Sequence, residues 1–446
     1  MATTQATNIH QTFTSKKRFE VTFFSIVIFL LLPNLLTPLR LNTDSIRYLK
    51  IVEYLAGNLD KNSDAVHDFL PHGYPQFLLT LGKLQLLGPL TITFVNITSI
   101  LLACYLLTII LEIENRLIFI GLVMISFINV KQFTLPIADQ LFTLLFLAGI
   151  YLWTQAFKKQ WLYMIPALAV TLLSLYVRTA GIALVIGVLL YLIYSNKYKL
   201  LNNKKLLIIP LVLIVIGFGA FIFNLHFIEK KVAYIAQLNL GLMIHQPASI
   251  LGRLAIHFKE LGEILINIPH SKLSSIVNPA IAGYLLIIAG ILLCLIFYKA
   301  IIKLQLFNTL SFWVFMVYLM MIFLWPFYDA RFLTPIVPVL VYSLFYYFTV
   351  MFKPRYIRYG YALMFLLLGF VSLAYSDALS VSNSFFLKHY GFDPSLTDKY
   401  RIHFNNQEKN MVNSQQYDIH NNDILFLLEK YDRKPLIIKA DIHAEN

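Results

Sequence analysis

Charged residues are scarce in this chain. Asp, Glu, Lys and Arg make up 13% of its 446 residues, whereas about 25% is usual for a soluble globular protein. Hydrophobic residues make up 58%, and the mean hydropathy is +0.69. Apolar runs of about 20 residues, the length of a membrane span, recur between positions 21 and 377. One soluble core does not bury so much apolar surface. The composition therefore excludes a soluble enzyme, a nucleic-acid binder or a disordered chain, and predicts a polytopic membrane protein.

Cysteine is nearly absent as well. The two cysteines, Cys104 and Cys294, both lie inside apolar runs. They offer neither a disulfide framework nor the spacing of a metal site, so we expect them to be small buried hydrophobic residues.

The apolar runs predict an all-α fold with about eleven transmembrane helices. A helix needs about 17–25 apolar residues to cross the hydrocarbon layer. The first run follows Lys16-Lys17-Arg18 without a later cleavage site, so it is predicted to be an uncleaved span. The predicted spans are 20–38, 90–111, 117–131, 135–157, 161–177, 179–195, 205–225, 277–298, 307–326, 332–352 and 358–377.

The net charge of +13 is explained by topology. If the N-terminus is cytoplasmic, the inner loops hold fifteen Lys or Arg residues against two acids, Glu112 and Glu114. Lys and Arg concentrate in cytoplasmic loops, so the excess indicates orientation rather than nucleic-acid binding. Eleven spans then place the C-terminus outside.

Three outer segments are long enough to carry functional groups. Two are loops, at about 40–89 and 226–276, and the third is the C-terminal tail. We therefore divide the chain into a transmembrane module, 1–377, and a small soluble module, 378–446. Within the tail, the pattern predicts a helix over Ile424–Tyr431 and a strand at Leu436–Ile438.

Asp44 is the first candidate functional residue. It begins a pattern in which Ile46, Leu49, Val52 and Ala56 recur at helical spacing, which predicts an amphipathic helix lying on the outer face of the bilayer. An acid at a helix start is also an ordinary N-cap, so a capping role and a functional role both stay open for Asp44.

Three further ionisable residues are predicted at the outer membrane edge, where such groups are costly to keep. Asp139 follows Pro136 at the start of the fourth span. Arg178 lies in a tight reversal between the fifth and sixth spans. Arg331 follows Asp329 closely, and a structural ion pair between them is the simpler alternative. For Asp139 and Arg178, the alternatives are an ordinary helix start and an arginine that extends to the headgroups.

A second polar cluster precedes the second span. It contains His67, Asp68 and His72, followed by Gly73-Tyr74-Pro75. The spacing matches no strong zinc pattern, so a divalent metal is not indicated. Gly-Tyr-Pro is more typical of a turn that begins a helix, here 76–87, re-entering the membrane.

Taken together, these residues predict group transfer. Guanidinium groups at the hydrocarbon edge suit the phosphate of a lipid. A neighbouring carboxylate suits a general base that activates an acceptor hydroxyl.

The same residues resemble the GT-C superfamily of integral-membrane glycosyltransferases, in particular the bacterial branch of protein O-mannosyltransferases and aminoarabinose transferases. The resemblance covers about 20–350 in short motifs: Thr43-Asp44 with Tyr48 and Gly57, Gly73-Tyr74-Pro75, Asp139, Val177-Arg178, and Tyr328 to Pro335. Two positions differ from the family pattern. Asp44 is followed by Ser45 rather than a second acid, and Asp139 stands where glutamate is common.

The resemblance implies a glycosyltransferase that moves a sugar from a polyprenyl-phosphate carrier to a lipid, glycan or protein acceptor, usually with inversion. It implies the outer side of a bacterial cytoplasmic membrane. Asp44 is then the base that accepts the acceptor proton, and if Asp44 only caps its helix, the base is Asp68 or Asp139 instead. Arg331 holds the carrier phosphate, with Arg178 as a second ligand. Tyr48, His72, Tyr74, Tyr328 and Asp329 are the candidate substrate-binding residues.

Two other functions are alternatives to a glycosyltransferase. A polysaccharide polymerase or ligase would use a lipid-diphosphate donor, but such enzymes usually concentrate their functional residues in one large outer loop. A lipid-linked sugar transporter or flippase would be favoured by inverted repeats or matching broken spans, and the sequence has neither. A channel is disfavoured because the charged residues cluster at one face.

Overall fold

The computed structural model describes residues 2–59, 65, 68, 70–158, 161–197, 250–351, 354–390, 394–405 and 421–432. All regular structure within these ranges is helical. The first nine helices are α1 (Ala2–Leu31), α2 (Thr43–Leu55), α3 (Gly73–Lys83), α4 (Pro89–Ile110), α5 (Arg116–Met124), α6 (Phe127–Gln132), α7 (Asp139–Lys158), α8 (Met164–Val177) and α9 (Ile182–Lys197).

The remaining described helices form the second half of the bundle and the tail. They are α10 (Ile250–Ile266), α11 (His270–Leu273), α12 (Pro279–Lys303), α13 (Leu310–Leu324), α14 (Val337–Met351), α15 (Arg355–Val381), α16 (Asn383–His389), α17 (Pro394–Asn405) and α18 (Asn421–Tyr431). The predicted tail helix is therefore confirmed as α18, whereas the predicted strand and the span 205–225 lie outside the described residues.

Membrane-spanning character is supported for five segments. They are long and apolar enough to cross a bilayer: Lys17–Leu36, Pro89–Ile110, Asp139–Lys158, Pro279–Lys303 and Arg355–Val381. Shorter apolar helices fill four further positions of the predicted series, at Met164–Val177, Thr179–Ser195, Leu310–Leu324 and Val337–Tyr347. The chain thus has the helices of a multi-pass membrane protein, and the count of about eleven stays a prediction.

The predicted span 117–131 is wrong as one continuous helix. Its residues form α5 and α6, which are separated at Ile125-Ser126. At a rise of about 1.5 Å per residue, neither piece crosses a hydrocarbon layer of about 30 Å. Asn267 stabilises the break, because its Oδ1 accepts the N–H of Phe127 at 2.8 Å and its Nδ2 donates to the Phe365 carbonyl at 3.0 Å.

Helix α10 packs against α12 at backbone contact distance. A Cβ atom on Gly262 would lie 1.9 Å from the Leu286 carbonyl oxygen, and one on Gly290 would lie 1.7 Å from that of Phe258. Only glycine permits this approach, since no side chain separates the two helices there. This close packing fixes α10 next to the loop that carries Arg331.

Helix α2 is confirmed as a helix but is not a free amphipathic surface. Lys50 and Glu53, which the pattern assigns to its polar face, are buried together with the apolar residues. The reason is tertiary, because α3 packs against α2 and α18 of the tail covers its polar side.

Candidate functional site

Asp44 lies in the first turn of α2 and does not cap it. The N-cap residue is Asn42, whose side-chain Oδ1 accepts the backbone N–H of Ser45 at 2.8 Å. The Asp44 carboxylate is therefore available for contacts outside its own helix.

The main partner of Asp44 is Arg331. Arg331 Nη2 lies 2.7 Å from Asp44 Oδ2. Arg331 Nε lies 2.7 Å from Asp329 Oδ2, so the two groups form an ion pair, but the geometry at Nε is not that of a hydrogen bond. The structure thus joins the start of α2 to the Arg331 motif. It also contains the Asp329–Arg331 pair that the sequence left open as an alternative.

Local structure fixes the direction of Arg331. Residues Ala330–Leu333 form a 3₁₀ helix whose N-cap is Asp329, and Asp329 Oδ1 accepts the Arg331 N–H at 3.0 Å. The Tyr318 hydroxyl donates to the Phe332 carbonyl at 2.7 Å. These bonds hold the short helix against α13.

A second acid–arginine pair lies beside the first. Arg178 Nη1 forms an ion pair with Asp139 Oδ1 at the start of α7. The predicted tight reversal is present, because α8 ends at Val177 and a 3₁₀ turn, Thr179–Gly181, leads into α9.

The Gly73-Tyr74-Pro75 turn packs against the backbone that precedes Arg178. Gly73 begins α3, three residues earlier than predicted, and a Cβ atom there would lie 2.4 Å from the Tyr176 carbonyl oxygen and 2.7 Å from the Val177 nitrogen. The backbone that precedes Arg178 therefore rests directly on Gly73, and any larger residue would displace it.

The ring of Phe332 connects the two pairs. The guanidinium carbons of Arg178 and Arg331 each lie 5.2 Å from its centroid. Cations within about 6 Å of an aromatic face are attracted to it. The two guanidinium groups are thereby held around one side chain, in one site.

Arg47, three residues after Asp44 on α2, forms an ion pair with Asp68. Arg47 donates to both oxygens of Asp68, from Nε at 2.7 Å and from Nη2 at 2.6 Å. Its Nη1 reaches Asp44 Oδ1 at a looser 3.4 Å. Asp68 is thus engaged bidentately, whereas Asp44 lies between two arginines.

Tyr48 and Tyr74 form an aromatic wall next to the carboxylate. Their rings meet edge to face with centroids 5.0 Å apart. Burial, together with the nearby negative charge of Asp44, raises the pKa of Tyr48 to about 12. His72 is the N-cap residue of α3, and its carbonyl accepts the N–H of Gln76.

The exposure of these groups decides which of them a ligand can reach. The Asp44 side chain is 22% exposed and that of Arg331 is 17% exposed, whereas Asp139 is 5% exposed. Arg178 is 15% exposed, close to the value for Arg331, so solvent reaches both arginines and Asp44, whereas Asp139 is buried.

Sequence reasoning missed a polar stripe on α10. His257, Glu260 and Glu263 are spaced three residues apart on one helix face and are almost fully buried. Glu260 Oε2 contacts His257 Nδ1 at 2.7 Å, and its Oε1 accepts the N–H of Asp329 at 2.6 Å. His257 Nε2 lies 2.8 Å from the Trp325 carbonyl oxygen. The regular spacing of ionisable residues in an apolar helix was the available signal.

Tyr328 contacts this stripe. Its hydroxyl donates to Glu263 Oε1, which also accepts the His270 N–H at 2.6 Å. Its ring packs under Lys259, whose Nζ lies 5.2 Å from the centroid. Burial raises the pKa of Glu263 to about 7. The hydroxyl of Tyr328 is thus directed toward α10 rather than toward Asp44.

Metal ligands are not grouped in the described part of the chain, where no three His, Cys, Asp or Glu side chains are arranged to hold an ion. His67 of the predicted polar cluster lies outside the described residues. The three arginines of the site, Arg47, Arg178 and Arg331, carry guanidinium groups of the kind that bind phosphate and other anions.

Comparison with models of protein families, with curated proteins and with solved structures finds no match to this chain. Its function is therefore inferred from the geometry of the site.

Proposed function

We propose that this protein is a membrane glycosyltransferase that moves a sugar from a polyprenyl-phosphate donor to an acceptor hydroxyl. The observation that carries the proposal is the 2.7 Å contact between the Asp44 carboxylate and the Arg331 guanidinium in a partly exposed site. A base and a phosphate ligand must both lie near the anomeric carbon for such a reaction, and this pair supplies both.

In the absence of donor, Arg331 holds Asp44. Its ion pairs use Nε and Nη2, and its other terminal nitrogen, Nη1, forms no ion pair with a described residue. A donor phosphate that approaches Nη1 brings a second negative charge to the same guanidinium group. The phosphate therefore competes with the Asp44 carboxylate for the positive charge of Arg331. Donor binding therefore weakens the contact that holds the base and leaves Asp44 available to accept a proton.

The reaction then balances without a further reactant. Asp44 accepts the proton of the acceptor hydroxyl, and the acceptor oxygen forms a bond to the anomeric carbon. The bond from that carbon to the phosphate oxygen breaks, and its electron pair leaves on polyprenyl phosphate. Arg331 and Arg178 stabilise the charge that develops on the leaving phosphate. Attack opposite the phosphate inverts the anomeric configuration.

The two guanidinium groups also favour a second candidate. Because Arg178 and Arg331 both lie 5.2 Å from the Phe332 centroid, they could bind two adjacent phosphates. A polymerase or ligase that uses a lipid-diphosphate donor would need such a pair.

One transfer assay separates these candidates. The purified protein in lipid nanodiscs is supplied with radiolabelled sugar on polyprenyl monophosphate or on polyprenyl diphosphate, with envelope lipids and glycans as acceptors. We expect transfer from the monophosphate and an inverted product by NMR. Transfer from the diphosphate alone would replace the first candidate by the second, and transfer from neither would end both.

The proposal places the site on the outer face of a bacterial cytoplasmic membrane, with the N-terminus inside. Cysteines introduced at exposed positions 58 and 398 test this. Both should react with a membrane-impermeant maleimide added to intact spheroplasts, whereas labelling only after lysis would reverse the orientation.

A further inference from the structure

Residues Pro38–Leu41 connect the first span to α2 without forming a helix, and the tail holds this connection by its backbone. The Tyr400 hydroxyl donates to the Leu39 carbonyl at 2.6 Å and accepts the Leu41 N–H at 2.9 Å. The Tyr390 hydroxyl donates to the Leu41 carbonyl at 2.8 Å. Asp432 Oδ1 accepts the Leu39 N–H at 3.1 Å. All four polar backbone groups of Leu39 and Leu41 are therefore bonded to tail side chains.

Arg40, the residue between Leu39 and Leu41, is bound by α15 instead of by the tail. Arg40 is buried, and its Nη2 donates to the Ser376 carbonyl at 2.8 Å and to the Ser380 hydroxyl at 2.7 Å, both on α15. Its Nε donates to the Thr37 hydroxyl at 2.9 Å. Alternate residues of the connection are thus bound by the tail and by the last described span.

The tail groups that make these bonds are themselves ordered by packing. His403 Nε2 lies 3.2 Å from Asp432 Oδ2, on the carboxylate whose other oxygen binds Leu39. The ring of Tyr400 packs edge to face on Phe386 with centroids 4.9 Å apart. These contacts hold the Tyr400 hydroxyl and the Asp432 carboxylate in position to bind the connection.

The far end of α2 is held by the tail as well. Buried Glu53 accepts hydrogen bonds from Lys430 Nζ at 2.6 Å and from the Tyr431 hydroxyl. It also accepts one from Asn58 Nδ2 at 2.8 Å. The helix that carries Asp44 is consequently bound by α17 and Asp432 just before its start and by α18 near its end.

We infer that the tail, and Tyr400 above all, is a positioning element for Asp44. Leu41 precedes Asp44 by three residues, so a shift of the connection moves the carboxylate relative to Arg331. Loss of the Tyr400 hydroxyl leaves a buried N–H and a buried carbonyl without a partner, and buried backbone groups rarely stay unpaired. The connection then moves toward water or another partner. The catalytic consequence rests on the proposed function, whereas the structural one does not.

The test compares Tyr400→Phe with Tyr375→Phe in the full-length protein in nanodiscs. Both substitutions delete one phenol hydroxyl and keep the ring. The Tyr375 hydroxyl donates to the His389 carbonyl at 3.2 Å and does not touch the connection. Amide hydrogen exchange of a peptide covering 38–47, followed by mass spectrometry, reports on the connection whatever the activity is.

We expect Tyr400→Phe to speed exchange in this peptide at least about fivefold, the equivalent of one hydrogen bond, with Tyr375→Phe unchanged. In the transfer assay, kcat should fall at least about tenfold with the KM for donor unchanged, because small misplacements of a reacting group are costly and Arg331 still binds the phosphate. Unchanged exchange overturns the positioning role, and so does faster exchange with normal kcat.

A second pair of variants covers the case in which Tyr400→Phe fails to fold. Asp432→Asn keeps an oxygen that accepts the Leu39 N–H, whereas Asp432→Leu has a similar size and no acceptor. Slow exchange in the first and fast exchange in the second support the inference, and equal exchange in both contradicts it. If the wild-type protein transfers no sugar, the proposed function fails and the exchange results alone decide whether the tail holds α2.

Discussion

Two sets of carboxylates flank the loop between α13 and α14, and they differ in their partners. Asp44 and Asp139 are paired with the guanidinium groups of Arg331 and Arg178. Glu260 and Glu263 on α10 instead accept bonds from a histidine ring, a phenol and backbone N–H groups.

Asp44 also differs from the α10 set in exposure. The Asp44 side chain is 22% exposed, whereas Glu260 is 0% and Glu263 3% exposed, and Asp139, at 5%, is as buried as the α10 set. A charged pair that water reaches can exchange one partner for a ligand, but a buried carboxylate that loses its donors leaves a costly uncompensated group. We therefore expect ligand exchange at the Asp44–Arg331 pair and anchoring of the loop by the α10 set.

The largest effect is expected at Arg331. Arg331→Met keeps an unbranched, flexible side chain and removes the guanidinium, so the donor phosphate loses its main ligand. Transfer should fall about 1,000-fold, the upper range for loss of one charge-stabilising group. Steady-state transfer and donor binding measure it. Arg401→Met, which removes an exposed arginine whose ion pair within the described residues is with Asp398, is the control and should leave transfer normal. Equal loss in both would remove the distinction.

Glu260 should affect stability before chemistry. Glu260→Leu removes the buried partner of His257 Nδ1 and of the Asp329 N–H, at a cost of about 3 kcal/mol in the free energy of unfolding. Thermal unfolding in detergent measures the loss. Glu260→Gln keeps an acceptor for Asp329 and should recover most of it. A normal melting temperature for Glu260→Leu would show that α10 does not anchor the loop.

Glu263 should make stability depend on pH. Burial raises its pKa from 4.5 to about 7, so the folded protein retains a proton that the unfolded chain releases between these values. The stabilisation is complete below about pH 4.5 and is lost as the pH rises through about 7, by about 3 kcal/mol.

Glu263→Gln cannot ionise and should flatten this slope in melting temperatures recorded from pH 4 to 8. Glu260 lies next to Glu263 and its pKa is also raised by burial, so the difference between wild type and Glu263→Gln is the quantity to compare. Parallel curves for the two proteins would contradict the assignment to Glu263.

The smallest effect is expected at Gly73. An added methyl group would lie 2.4 Å from the Tyr176 carbonyl oxygen and must displace the backbone before Arg178. Gly73→Ala should lower transfer about tenfold, less than a misplacement of 1 Å can cost, because Arg178 only assists Arg331. Gly283→Ala is the matched control, since nothing lies within 4 Å of its added Cβ. Equal activity of the two variants would rule out support from Gly73.

Sequence reasoning found Asp44, Asp139, Arg178 and Arg331 because ionisable groups stand out against apolar runs. It also predicted the start of α2 correctly, but it placed the start of α7 at 135, four residues before Asp139. It did not find the break at Ile125-Ser126, which depends on the distant Asn267.

Other features were beyond a sequence-based prediction for the same reason. Glu260 contacts Asp329 only after α10 packs against the loop, and Tyr400 contacts Leu39 only after the tail folds back. Contacts between residues so distant along the chain leave no local pattern. The capping alternative for Asp44 was open for a simpler reason, since Asn42 and Asp44 are both good caps and only the structure shows which is used.

The most direct measurement compares Asp44→Asn with Asp68→Asn and Asp139→Asn. Each protein is assayed for transfer and for binding of polyprenyl phosphate. Asp44→Asn should lower transfer at least about 100-fold, as expected for loss of a general base, and bind polyprenyl phosphate at least as tightly as wild type, because the Asp44 carboxylate no longer competes for Arg331. Asp68→Asn should retain transfer. Normal transfer by Asp44→Asn would contradict the account, and loss of transfer only in Asp68→Asn or Asp139→Asn would move the base to that residue.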